Sequence, residues 1–157
     1  MARVNDVVAY ILQEQGRTDT LKLQKLLYYS QAWHLVWDHE PLFCESFEAW
    51  ANGPVLDRVY RQHRGQFAVA QWPAGQPDGL SDSERETVDI VLEHYGALDG
   101  HQLSTMTHAE APWREAREGL DVGERGRSPI SLERMQDYYT ALWESDEATV
   151  VSDVDWD

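Results

Sequence analysis

The segment from Leu21 to Asp38, LKLQKLLYYSQAWHLVWD, limits the fold more than any other part of the chain. Its apolar residues fall almost all round a helical wheel, so a helix here has no face to give to water and has to be enclosed by neighbours. A helix over Thr20 to about Asp38 would run roughly 28 Å at ~1.5 Å per residue. With 157 residues the chain buries one core rather than two, and 7 Trp in a 42% hydrophobic composition argue against disorder over most of it. The expectation is a mainly α, single compact helical domain whose central buried helix lies at about 20–38.

The flanking segments read as shorter elements. Val4, Val7, Val8, Ile11 and Leu12 recur at helical spacing, with Asn5 or Asp6 available as N-cap and Gly16 suited to a left-handed stop. PLFCESFEAWANGPV alternates and halts at Gly53-Pro54, which suggests a short strand or extended arm, with Pro54 as first residue of a helix reaching His63. Residues 64–80 carry Gly65, Pro73, Gly75, Pro77 and Gly79 and read as a surface loop. Ser81 with Glu84, or Ser83 with Glu86, offers a capping box for a helix whose apolar face is Val88, Val91, Leu92 and Tyr95 and which ends at Gly96. Short helices are expected over Leu98 to His108 and from Pro112 through Glu118, then a Gly-rich loop, VGERGRSP. Ser131 caps a last helix, Ile130 stapling onto Met135 while Leu132, Met135, Tyr139 and Leu142 face the core. This amounts to about six helices and a small β element over residues 1–143.

Charge and motif content narrow the chemistry. Thirteen Lys+Arg against 28 Asp+Glu give −15, a field that repels phosphate backbones and anionic lipid, so neither direct nucleic-acid binding nor membrane binding is expected. Arg58, Arg61 and Arg64 form the basic cluster of a conceivable recognition helix, without a second basic element to grip phosphates. A single cysteine, Cys44, excludes an internal disulfide, and Asn5 and Asp6 interrupt any signal-peptide run, so a cytoplasmic protein is expected. No GxxxxGK[ST], GxGxxG or GxSxG occurs, and the histidines make neither HExxH nor a finger spacing. His34 and Asp38 stand four apart on one helix, half of a metal site at most, and a structural histidine is the better reading. No catalytic residue, metal or cofactor is expected, and hence no enzyme. Aromatics at helical spacing read as core before ligand box. Lys22 and Lys25, on a helix this apolar, call for partners, and Glu48 is the candidate carboxylate for Lys25.

Three blocks carry a family pattern. LKLQKLLYYSQAWHL at 21–35, FEAWANGPVLDRVY at 47–60 and LSTMTHAEAPWREA at 103–116, in that order, resemble the Panacea antitoxin domain of the SocA-like family over about residues 4–143. The pattern residues are Lys22, Lys25, Leu26, Tyr28 and Tyr29, then Ala49, Trp50, Gly53, Pro54, Val55 and Tyr60, then Leu103, Thr107, His108, Pro112 and Trp113. The resemblance implies an antitoxin that binds a cognate protein toxin encoded beside it and neutralises it by direct contact. Alternatives are an adaptor that delivers the toxin to a cellular protease, as in a member of the family, and an acidic inhibitor that mimics nucleic acid. A domain that faces unrelated toxins should vary where it binds, so the pattern residues read as a fold signature, and His108 as structural.

Residues 144–157 form an acidic tail in which Glu144, Asp146, Glu147, Asp153, Asp155 and Asp157 meet no Lys or Arg. Val150, Val151, Val154 and Trp156 are interleaved with these acids, which suits a segment that orders on a basic partner, the acids steering and Trp156 anchoring. A solubilising terminus is the alternative reading.

Overall fold

A computed structural model describes the backbone of residues 1–155 and the side chains of residues 1–145. The elements in chain order are α1 (Val4–Gln15), β1 (Thr18–Asp19), α2 (Thr20–Asp38), β2 (Glu48–Trp50), β3 (Gly53–Val55), α3 (Asp57–His63), β4 (Ala68–Val69), α4 (Asp82–Tyr95), α5 (Gly100–Ala109), α6 (Ala111–Ala116) and α7 (Leu132–Asp155). The class is mainly α with two small antiparallel sheets, β1 with β4 and β2 with β3. There are seven helices among the described residues, one more than the six the sequence suggests.

Enclosure of α2 organises the rest. The Asp19 carboxylate accepts the Lys22 amide at 2.8 Å and caps the helix, which then buries every residue from Leu23 to Val36. Helices α4, α5 and α7 lie along it, with α1 and β3 closing the remaining sides. Gln31 and Gln24 are wholly enclosed yet paired. Gln31 donates to the Phe43 carbonyl and accepts from the Leu42 amide, while Gln24 accepts from the Leu56 amide at 2.8 Å. Each glutamine thereby fixes an irregular stretch of backbone against the helix, satisfying groups that burial would otherwise leave costly.

Several local signals hold. Gly16, at φ 73°, stops α1 with its amide on the Leu12 carbonyl. Ser81 and Glu84 form the expected reciprocal box at the start of α4. Ser131 accepts the Arg134 amide at 3.0 Å, and Met135 and Tyr139 of α7 are fully buried.

Two capping assignments are corrected. Helix α1 begins at Val4 behind Arg3, which makes no side-chain cap, and neither Asn5 nor Asp6 occupies that position. Their side chains hold the 64–80 loop instead. Asn5 Oδ1 accepts from Trp72 Nε1 at 3.0 Å, Asp6 accepts from the Gln76 amide at 2.9 Å, and Gly75 lies so close that a Cβ there would meet the Asn5 carbonyl oxygen at 1.9 Å. Pro54 likewise opens no helix. It sits in β3 opposite Ala49, and α3 starts only at Asp57.

Candidate functional site

The residues of the family pattern come together beneath the β2–β3 hairpin. Lys25 is fully buried and its Nζ donates to the Pro54 carbonyl at 3.0 Å. Gly53, at φ 118°, lets the hairpin approach, since a Cβ would stand 2.5 Å from Lys25 Cε and 3.0 Å from Thr107 Oγ1. Both the backbone conformation and the space demand glycine there. Trp113 Nε1 donates to the Trp50 carbonyl at 2.8 Å, and His108 stacks on the Trp113 ring at 4.0 Å and 11°. Pro112 is buried in the first turn of α6, and Lys22 Nζ donates to the Gly96 carbonyl at 2.6 Å, tying α2 to the end of α4.

The expected Lys25–Glu48 pair does not form. Glu48 accepts instead from Trp50 Nε1 at 2.7 Å and from Arg127 Nε at 3.2 Å. β2 turns the Glu48 side chain to its half-buried outer surface, whereas Lys25 enters the core beneath the next strand, where a backbone carbonyl is its acceptor. Burial without a carboxylate in contact pulls the ammonium down to about 7, against a weaker opposing pull from Asp19. Burial also lowers His63 and His108, and the charge on Lys25 pushes both the same way.

A second buried knot joins Tyr28 and Tyr29 to α7. Glu110 accepts from Tyr29 at 2.6 Å and from Tyr139 at 2.8 Å, and the Tyr139 and Tyr28 hydroxyl oxygens lie 3.2 Å apart. Burial raises the Glu110 carboxyl, partly offset by the two phenols. Sequence reasoning missed Glu110, because nothing in AEAPW distinguishes it from a surface acid.

Two concave surfaces flank these knots, one over each half of α2. The first lies between α2, α4 and α7, with a volume of about 540 Å³, and is walled by Trp33, Trp37, Ile90, Tyr95 and Trp143 with Asp38 and Glu86 at its edge. Trp33 stacks on Trp37 at 5.5 Å, and Trp143 meets both edge-on at 6.1 and 5.8 Å. Trp143 is 38% exposed. The Trp37 indole N–H is buried without a hydrogen-bond partner among the described residues. In keeping with the core assignment of aromatics, Trp33 is buried and Trp37 packs against the core, and it is Trp143 of α7 that brings an exposed ring to this end of α2.

The second cleft, about 790 Å³, lies between the N-terminal half of α2, the hairpin, α3 and the 125–127 segment. Here Arg61 and Arg64 of α3 and its end meet Arg125 and Arg127, some 60 residues away in sequence. Arg117 sets that loop: buried, it donates to the Ala49, Asp121 and Glu124 carbonyls and lies 5.2 Å over Trp113. Trp50 and Tyr60 form the aromatic wall, edge to face at 4.8 Å.

His34 places Nδ1 2.8 Å from Thr87 Oγ1 and Nε2 3.6 Å from Asp38, and burial lowers it. Among the described residues no three His, Cys, Asp or Glu side chains come together as a metal group. Cys44 is exposed beside Glu45. Arg58 pairs with Glu45 at 2.9 Å and turns from the second cleft. Backbone of α7 continues through Val150, Val151 and Val154, whose side chains lie outside the description, as does Trp156 altogether. No helix among the described residues is long and apolar enough to cross a membrane.

Comparison with curated proteins and with solved structures returned no match. The family model for the antitoxin SocA-like, Panacea domain matches residues 23–114, more than half of the chain and the stretch that holds Lys25, Gly53, Thr107 and Trp113. The chain belongs to the SocA-like Panacea antitoxin family.

Proposed function

We propose that this protein is an antitoxin that neutralises a cognate protein toxin, encoded beside it, by direct contact, and that it is not an enzyme. Family membership carries the reading. The aromatic groove between α2, α4 and α7 supports it and supplies the contact face. Exposed tryptophan at the centre of a concave surface is the usual anchor of a protein interface. The acids Asp38 and Glu86 among its lining residues suit a basic segment of the partner laid across the rings.

Residues 144–157 belong to the same reading as an acidic arm set apart from the 1–143 domain. Helix α7 carries Trp143 on the groove and then runs straight into this acidic stretch. Its charges accelerate encounter with a basic toxin, and Val150, Val151, Val154 and Trp156 add contact once it has docked. The site of action is the cytoplasm.

Co-expression with the neighbouring gene product, pull-down, and growth rescue test the reading. A stable complex whose formation restores growth is the expected result. Rescue by toxin loss that needs a cellular protease would identify an adaptor, and competition between the complex and DNA for the same enzyme would identify mimicry.

A further inference from the structure

The second cleft inverts the charge of the molecule that carries it. On a chain of net charge −15 with thirteen Lys and Arg, Lys25, Arg61, Arg64, Arg125 and Arg127 gather at one concavity, where Asp57 is the one acid among the described lining residues. Asp57 is already engaged by Arg61 at 2.7 Å and Arg127 at 2.6 Å. Arg64 and Arg125 are exposed and have no acidic partner among the described residues. Under the floor, the Lys25 ammonium has three donors and one acceptor, the Pro54 carbonyl, with no carboxylate in contact.

Shape and chemistry narrow the ligand. The volume lies in the range of small-molecule sites. Guanidinium forks match phosphate oxygens in pairs, and two of them here are unengaged. Arg127 lies 4.8 Å over one side of Trp50, and Tyr60 meets the ring edge-on, making a rigid aromatic wall beside the arginines. Asn52 and the Gln24–His63 pair, 3.0 Å apart, add neutral polar groups around the same space. An extended acidic polypeptide or a nucleic acid would meet the repulsion of the whole surface, whereas a compact anion is held within the locally positive cleft.

We propose that the cleft between β2–β3, α3 and residues 125–127 binds a nucleotide, its phosphates on Arg64 and Arg125 and its base on the Trp50–Tyr60 wall. Nothing in this rests on the toxin reading, because the groove and the cleft share no lining residue.

Calorimetric titration of the full chain with ATP, GTP and inorganic tripolyphosphate tests it. Micromolar binding of a nucleoside triphosphate, tighter than tripolyphosphate, is expected. The double variant Arg64→Ala with Arg125→Ala should lose at least about ten-fold in affinity, equivalent to ~1.4 kcal/mol, while Trp143→Ala in the groove leaves nucleotide binding unchanged. Both arginines are exposed and have no acidic partner among the described residues, so their removal should not unfold the protein, which circular dichroism checks. Absence of binding up to millimolar nucleotide, equal affinity for tripolyphosphate, or equal affinity in the arginine variant would overturn the proposal. So would loss of toxin binding, with nucleotide binding intact, in that variant.

Discussion

The two halves of α2 floor two unlike surfaces. Towards its N-terminus the helix underlies a cleft that is polar, arginine-rimmed and closed below by a buried lysine; towards its C-terminus it underlies a groove of indole rings edged by carboxylates. Lys25 and Trp37 are twelve residues apart, roughly 18 Å along the axis at ~1.5 Å per residue. One helix enclosed on all sides cannot show much of itself, so what differs is what its neighbours bring: the 125–127 loop and α3 supply cations to one end, and α4 with α7 supply apolar rings to the other. Chemistry at each end is therefore decided by tertiary partners, while α2 itself supplies the common rigid floor.

That division has consequences at three scales. Leu27 is fully buried in the shared floor, and Leu27→Ala should cost ~2–5 kcal/mol in chemical denaturation. Both surfaces should weaken together; damage confined to one would mean that the floor is not common. Next comes Lys25. In the unfolded chain its ammonium has the ordinary value of 10.5, and in the fold burial brings it to about 7. Between those values the unfolded state holds a proton that the folded state does not, so Lys25 makes stability rise with pH from about 7 to 10.5, and below 7 the charge is buried at full penalty. Asp19 opposes the shift, and His63 and His108 face the same charge. Lys25→Met should therefore stabilise by roughly 1–3 kcal/mol at pH 6.5, net of a Pro54 carbonyl left without its donor. The gain should shrink towards pH 10; parallel pH profiles for the two proteins would remove Lys25 from this role. Combination with Glu48→Gln should be additive, since the two side chains are not in contact.

At the other end, Trp143→Ala and Trp37→Phe separate binding from folding. Trp143 is the exposed ring of the groove, and its removal should weaken the toxin complex by about 2 kcal/mol. Trp37→Phe removes a buried N–H with no partner among the described residues, so it should leave the free protein as stable or slightly more so, within ~0.5 kcal/mol, and the complex almost unchanged. Denaturation and surface plasmon resonance on the same preparations check both. A loss of stability in Trp37→Phe would mean that its N–H is used inside the fold.

How much of this was legible in the sequence follows the range of the interactions. The central helix was evident because its apolar residues leave no outward face, and Gly16, the Ser81–Glu84 box and Ser131 were evident because a cap is written within four residues. Asp99 and Gln102 form a second box of the same kind at the start of α5, one residue beyond the Leu98 start that the sequence reading gives that helix. The β1–β4 ladder pairs only Thr18 with Val69 and Asp19 with Ala68, too short for any alternation to show. Gly-Pro serves a turn or a helix start equally well, and the contacts that go with the hairpin, the pairing of Pro54 with Ala49 and its carbonyl on Lys25, are tertiary. Lys25 stands out in the sequence as a charge that needs a partner, but a charge pattern cannot reveal a backbone carbonyl. The arginine cleft joins Arg61 and Arg64 to Arg125 and Arg127 through the buried Arg117, a convergence that exists only once the loop is folded.

The smallest expected effect concerns residues 144–157, and it separates steering from contact. Six acidic residues follow Trp143 with no cation among them, five of them in the C-terminal half of α7, so on the proposed reading a basic partner approaching the groove meets their field first. Exposed charges act over about 8–10 Å at ordinary ionic strength and chiefly raise the association rate. Deleting 144–157 should therefore slow toxin association several-fold at low salt and barely at physiological salt, with thermal stability of the 1–143 domain almost unchanged. If Val150, Val151, Val154 and Trp156 also touch the toxin, dissociation should quicken as well, at every salt concentration, because apolar contact is not screened. Association and dissociation rates unaltered across the salt range would reduce the arm to a solubilising terminus, and leave the groove to hold the toxin alone.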